Sequence, residues 1–383
     1  MENEKYYAIN WVDGVKINKD HFIKSHNNTT ESMRDYASLA INSYNYGLLE
    51  PVDGMVSSLE VEVQTHTEER LVLKLQSCNV ITSKGCRIEF SSAMYGGESP
   101  TASIESKNID STSNLDFLLL LTVSPFDLVP VGEPDPEIIP LHHPHVLPKI
   151  ELAIIPKGQF NTHFLKKSFL LVGKIQWKNS SFIYDKSFVP PVTKIIYHKE
   201  LHSFYNKIAQ VIIRLRNHSV IIYRKNRSKS QTNKLVSNTF LLCNSVLSYV
   251  SQYSFKFNQY SQEESPIFIA NAMAVLANYL SNELAILEDT EREKLLQYYY
   301  EWTDVKPSVF QTAIGDVIDM KYDHLEIQEM VEKTDLFIAI IDTLWRKLSE
   351  LEYIGQRKDN IVISEEKQTI RDRSEDRSWS IID

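Results

Sequence analysis

The chain has 383 residues, 43 % hydrophobic and 24 % charged, a composition that supports two or three domains, each with its own core. Collagen-like, low-complexity and membrane-bundle readings are excluded, because no apolar run approaches the roughly 20 residues of a bilayer-spanning helix. A formal charge of −9 argues against a generic nucleic-acid coat.

The opening Met1-Glu2-Asn3-Glu4-Lys5 is charged with no apolar segment behind it, so no secretory signal is expected. Trp11 reads as a core anchor. A helix is expected from about Lys19 to Ile41, with unevenly spaced apolar positions at Phe22, Met33, Tyr36, Leu39 and Ala40. Strands follow. Leu59 to Val63 alternates apolar and polar residues, as do Leu71 to Leu75 and Cys86 to Phe90. Phe117 to Val123 is continuously apolar, the pattern of a buried central strand. Ile150 to Ile155 and Phe169 to Trp177 continue the series, and strands so spaced predict a sandwich or barrel. Eight prolines lie between Pro125 and Pro156, which predicts a long ordered loop or an arm, since proline lacks the N–H of a central strand.

After Pro190-Pro191 the pattern becomes helical. Leu201, Phe204, Ile208, Val211 and Leu215 are spaced 3, 4, 3, 4, a heptad seam for lengthwise packing on other helices. Val236, Cys243, Val246 and Val250 mark a second helix. A third starts at Pro266 and carries Met273, Leu276, Leu280, Leu284 and Leu287. A helix over about Pro307 to Met320 follows. The last carries Phe337, Ile341, Leu344, Leu348 and Leu351 and ends at Gly355. Gln356 to Asp383 is charge-rich and reads as a tail. The fold expected is α+β and multidomain, an antiparallel β domain followed by a long-helix bundle.

Charge is segregated along the bundle. Leu201 to Gln262 holds nine Lys or Arg and no acid, whereas Glu263 to Asp304 holds nine acids against Arg292 and Lys294. Neighbouring helices can neutralise one another. The segment Arg224-Lys225-Asn226-Arg227-Ser228-Lys229 can also act as a basic loop for an acidic partner. Aromatic residues are not interleaved there as a nucleic-acid platform requires.

Signals for chemistry are weak. Neither GxxxxGK[ST] nor GxGxxG occurs, and no GxSxG elbow. Cys78, Cys86 and Cys243 are too scattered for a disulfide framework or zinc site, which predicts a reduced, cytoplasmic protein. Cys243 lies on an apolar helix face and reads as a core residue. His142, His143 and His145 cluster, but Pro144 stiffens the segment and no carboxylate spacing accompanies them; loop packing or partner contact is the expectation, and a metal site the alternative. Neither a catalytic residue nor a cofactor is predicted, and no membrane insertion.

A combination of short signals then resembles a known family. Ile9-Asn10-Trp11-Val12-Asp13-Gly14-Val15, followed by Asp20-His21-Phe22, looks like the opening signature of TssK, the baseplate subunit of the bacterial type VI secretion system. Tyr46-Gly47-Leu48 matches its next strand start, Asp53-Gly54 a small-residue turn, and Leu59 to Val63 its alternating strand. Phe188-Val189-Pro190-Pro191 before Leu201 is similar to the family's hinge into its first long helix. The resemblance covers roughly residues 6 to 320. It implies a homotrimer with a jelly-roll-like β-sandwich shoulder at 1–188 and a helical neck at 189–320. The shoulder would grip the wedge proteins TssF and TssG, and the Leu201, Phe204, Ile208, Val211, Leu215 stripe would hold the neck of the trimer. The family's α/β head is replaced here by a short helix and tail at 321–383, so the partner in the membrane complex is left without a name. Trp379 and the basic loop are candidate docking points. The localisation implied is the cytoplasmic face of the inner membrane. A phage-tail-type receptor-binding or baseplate protein is the alternative, and an enzyme built on the histidine cluster the third.

Overall fold

The computed structural model describes residues 5–67, 70–108, 115–160, 168–229 and 233–357. It divides into two compact units. The first holds the described residues up to Ser203 with Gln262–Ile267 and Tyr322–Glu329, and the second holds Phe204–Ser261, Phe268–Lys321 and the described residues from Met330. The architecture is multidomain α+β, as expected.

The first unit opens with an arm and helix α1 (Lys19–Ala40), which Asn18 caps: its Oδ1 accepts from the His21 N–H and the His21 Nδ1 accepts from the Asn18 N–H, each at 3.2 Å. Among the described residues, nine strands then form two antiparallel sheets. In the first, β3 (Arg70–Ile81) is the hub, bonded to β1 (Gly47–Leu48), β2 (Leu59–Thr67), β4 (Arg87–Ser91) and β5 (Thr101–Glu105). The second has the order β7-β6-β8-β9, with β6 (Leu115–Val131), β7 (His145–Pro156), β8 (Ser168–Lys178) and β9 (Ser181–Tyr184). The apolar run Phe117 to Val123 lies in β6 between β7 and β8, and Leu119, Leu120 and Leu121 are fully buried. The sheets meet where the Cys86 thiol lies 3.1 Å from the Ser168 hydroxyl and the Tyr95 hydroxyl donates to the Pro148 carbonyl at 3.0 Å.

The proline-rich stretch corrects its expectation. It is mostly a hairpin: Leu128 faces Pro148, Pro130 faces Val146, and only 132–144 is loop. Among the described residues β8 pairs with β6 only as far as Val123, so beyond it β6 has one bonded neighbour there, and β7 is an edge strand. A proline there turns its missing N–H away from the ladder at little cost.

The second unit is helical. Helix α2 (Lys199–Asn226) enters it and is followed by α3 (Lys234–Gln259), α4 (Ile267–Ile286), α5 (Asp289–Thr303), α6 (Pro307–Ile318) and α7 (Ile327–Glu350). Helix α5 is absent from the sequence expectation. Its buried Leu295, Leu296, Tyr298 and Tyr299 come in adjacent pairs, which blurs a helical stripe. Within this unit α2 is tied to α7. The Arg214 guanidinium clamps Asp342 at 2.7 Å, Lys207 pairs with Asp335, and the Trp345 indole N–H donates to Ser219 at 2.9 Å. The Tyr205 hydroxyl donates to the Phe257 carbonyl at 2.6 Å, and Thr239 meets Tyr299 at 3.1 Å. The sequence places 321–383 apart from the bundle, whereas α7 packs inside it. That helix ends at Glu350, and the chain turns before Gly355.

The heptad seam needs the second correction. Leu201, Phe204, Ile208, Val211 and Leu215 are all buried within a single chain, at 0 to 9 % exposure. The stripe expected to hold copies together is consumed by packing inside the protein. Each such burial contributes roughly 1.5–3 kcal/mol to folding the monomer.

Candidate functional site

The strand start Tyr46-Gly47-Leu48 and the double-proline hinge form one joint in the first unit. Gly47 has φ +116°, and a Cβ there would lie 1.9 Å from the Pro191 carbonyl oxygen, so only glycine allows the approach. The Leu48 N–H then donates to Pro191 O at 2.8 Å, and the Thr193 N–H and hydroxyl both donate to Leu48 O, at 3.0 and 2.6 Å. Leu48 and Val192 form a parallel bridge, and Pro190 lines a small cleft beside Leu48 and Phe188. Two further segments close on the joint. The Ser265 hydroxyl donates to Tyr44 O, and the Ile195 N–H donates to Glu264 O at 2.9 Å. His324 Nε2 donates to Tyr46 O at 2.8 Å, with the two rings edge to face at 4.9 Å. Its Nδ1 therefore accepts from the Tyr322 hydroxyl, 2.7 Å away. His324 is buried, and desolvation pushes its pKa down to about 4, which keeps the ring neutral. Burial and then the neighbouring Asp323 carboxylate push the Tyr46 phenol up to about 12.

The opening signature itself lies on the surface. Trp11, expected in the core, is 54 % exposed with its ring 5.5 Å from His21. Phe22 is 67 % exposed, and Gly14, at φ +84°, turns the arm in open space. Helix α1 has no buried residue at all. It touches the sheets through one side only: the Arg34 guanidinium lies 5.6 Å over the Phe126 ring, and the Gly85 turn fits against the Arg34 and Ser38 backbone. The arm is pinned where the Tyr6 N–H donates to Glu31 at 2.5 Å and Asn28 donates to Tyr6 O at 2.7 Å.

The other candidates separate. Arg224 and Lys225 belong to the last turn of α2 rather than to a loop, and Arg227 follows in a single 3-10 turn. Lys225 donates to the carbonyls of Ser349 and Leu351, at 2.7 and 3.0 Å, and so caps the end of α7. Trp379 lies outside the described residues. His142 and His143 each use Nδ1 to hold a loop carbonyl at 2.7 Å, Pro140 O and Gly132 O. A groove of about 900 Å³ in the helical unit is lined by Lys234, Glu291, Tyr298 and Pro307, with Lys234 and Glu291 paired at 3.0 Å. Charge neutralisation is real but differently placed: α2 pairs with Asp335 and Asp342 of α7, and Lys234 reaches Glu291.

No family model matches the chain. Among curated proteins it is similar to one component of the glutamyl-tRNA(Gln) amidotransferase of Sulfurisphaera tokodaii, 23 % identical over 127 residues, 30 % of this chain and 19 % of that protein. Among solved structures it is similar to a crystal structure of TssK, with a TM-score of 0.48 and 14 % identity over 75 % of this chain and 63 % of that one. A type VI secretion baseplate complex gives 0.46 and 14 % over 74 % of this chain and 90 % of that one. A TssK-TssF-TssG baseplate subcomplex gives 0.46 and 14 %, over 90 % of this chain and 99 % of that one. The chain thus spans about a fifth of the curated relative and less than two thirds of the first TssK structure.

Sequence reasoning missed Tyr322 and His324. A lone histidine 278 residues from its carbonyl partner carries no local signal. The exposed face of α1 was not read from the sequence either, because uneven apolar spacing does not say whether a helix face is covered.

Proposed function

We propose that this chain is a structural baseplate adapter of a type VI secretion system, of the TssK kind. In this reading it acts as a homotrimer at the cytoplasmic face of the inner membrane and links wedge proteins of the TssF and TssG kind to a membrane-anchoring complex. The β unit serves as the shoulder and the helical unit as the neck. One observation carries the reading. Two sequence signatures that resemble the family, Tyr46-Gly47-Leu48 and Pro190-Pro191, are far apart in the chain yet meet at one backbone joint that admits no side chain at Gly47. A rigid joint of this kind suits an adapter, which transmits position rather than performing chemistry.

The deciding experiment is co-purification. The full chain, co-expressed with the wedge proteins of its own gene cluster, is expected to elute with them in one complex. Light scattering of the chain alone is expected to give three times the chain mass. A chain that elutes apart from both wedge proteins overturns the adapter reading.

A further inference from the structure

We infer that the outward face of α1, together with the arm before it, is the contact between copies of this chain; the inference rests on the homotrimer reading above and names the surface that makes it.

The argument starts with the helix. Phe22, His26, Thr29, Met33, Tyr36 and Ala40 recur at three- and four-residue spacing and share one face, and all six are exposed. The half-buried Arg34 and Ala37 meet Phe126 and the Gly85 turn, and the half-buried Asn28 and Glu31 hold Tyr6 of the arm. The polarity is therefore inverted relative to a helix that serves only its own monomer, which hides its apolar stripe. The arm extends the surface. Tyr7 is 77 % exposed, and Trp11 joins the arm to the start of the helix through its contact with His21. Val12, Ile17, Ile23 and Leu39 are exposed as well.

The size fits a second protein surface. At roughly 150–250 Å² per aromatic side chain, Tyr7, Trp11, Phe22 and Tyr36 together leave several hundred Å² open, comparable with the 300–600 Å² of the largest patch on a typical monomer and a large part of the ~800 Å² a partner contributes to a stable interface. The composition fits too, since Trp, Tyr, Phe and Met are the residues enriched at interface centres.

Charge selects the occupant. The whole chain carries −9, but between Lys5 and Ile41 five cations (Lys5, Lys16, Lys19, Lys24, Arg34) stand against four carboxylates (Asp13, Asp20, Glu31, Asp35). A nearly neutral patch on an acidic protein lets identical copies meet without repulsion, whereas a surface evolved for a charged partner carries an excess of one sign. The α2 seam cannot take this role, because it is already buried inside the chain.

The test is light scattering over a concentration series on the full chain and on Met33→Glu/Tyr36→Glu, with the milder Met33→Ser/Tyr36→Ser as a second variant and circular dichroism to confirm folding. A control, Phe255→Glu, changes an exposed aromatic residue of α3. The expected result is a trimer for the parent and the control, and loss of the trimer to a monomer at the same micromolar concentration for the glutamate variant, with at least a tenfold weaker association for the serine pair. A parent trimer that both variants retain overturns this inference and leaves the homotrimer reading standing. A variant that stays trimeric but no longer co-purifies with the wedge proteins also overturns it, assigning the face to them. A monomeric parent removes the homotrimer reading, and this one with it.

Discussion

Helices α1 and α2 have opposite fates. Helix α2 carries a regular heptad stripe, and all five of its seam residues are buried by other parts of the same chain. Helix α1 carries an irregular set of apolar residues, and none is buried. By pattern alone, the regular stripe suits the surface that joins copies, and the irregular helix gives no stripe to assign. The structure covers the regular stripe within the chain and leaves the apolar residues of α1 open. A heptad period states that one face of a helix is apolar; it does not state whose atoms cover it. Helix packing within a chain and between chains uses the same ridges and grooves. For α2 the cover is local, since Phe257 of α3 stacks on Tyr205 at 5.2 Å and α7 is tied along its length.

The contrast can be broken at several points. The largest effect is expected at the seam: Ile208→Asp places an unpaired carboxylate at a fully buried position and should cost more than about 4 kcal/mol of unfolding free energy. Denaturant unfolding checks this, and a variant that keeps parental stability while changing only its oligomeric mass would restore the intermolecular reading of the stripe. Next is the joint. Gly47→Ala forces a Cβ against the Pro191 carbonyl and strains a positive φ, with an expected loss of about 3 kcal/mol in the same assay.

The third is pH. His324 is neutral in the native protein, with a pKa near 4, against 6.5 for the free group. Between those values the unfolded chain binds a proton that the folded chain does not, so stability is full above pH 6.5 and falls as pH drops towards 4. At pH 5 this group alone should lower stability by about 2 kcal/mol relative to pH 7. His324→Gln should flatten that part of the pH profile; an unchanged slope would show that other groups set it. The smallest effect is expected on α1. Met33→Ser should change the unfolding free energy of the dissociated chain by less than about 0.5 kcal/mol, because the side chain is 66 % exposed. A larger loss would mean that the face is already covered within the monomer.

Local pattern is enough for most elements. Period-two alternation marks β2 and β3, the apolar run in β6 marks a central strand, and three- and four-residue spacing marks α2, α3, α4 and α7. It fails where neighbours override propensity. Proline content argues against the hairpin of β6 and β7, yet Pro130 and Pro148 sit where, among the described residues, a strand has one bonded neighbour. Helix α5 escapes notice because its buried residues come in adjacent pairs.

What the sequence determined by itself was the order of parts, a β unit and then long helices, together with the motifs at Tyr46-Gly47-Leu48 and Pro190-Pro191. Both are local properties, set by side-chain period and backbone freedom over a few residues. Only the tertiary structure decided that these motifs form one joint, that His324 completes it, and that α1 rather than α2 keeps its apolar face open. Such facts depend on contacts between residues hundreds of positions apart, and no local pattern encodes which distant surface will cover an apolar stripe.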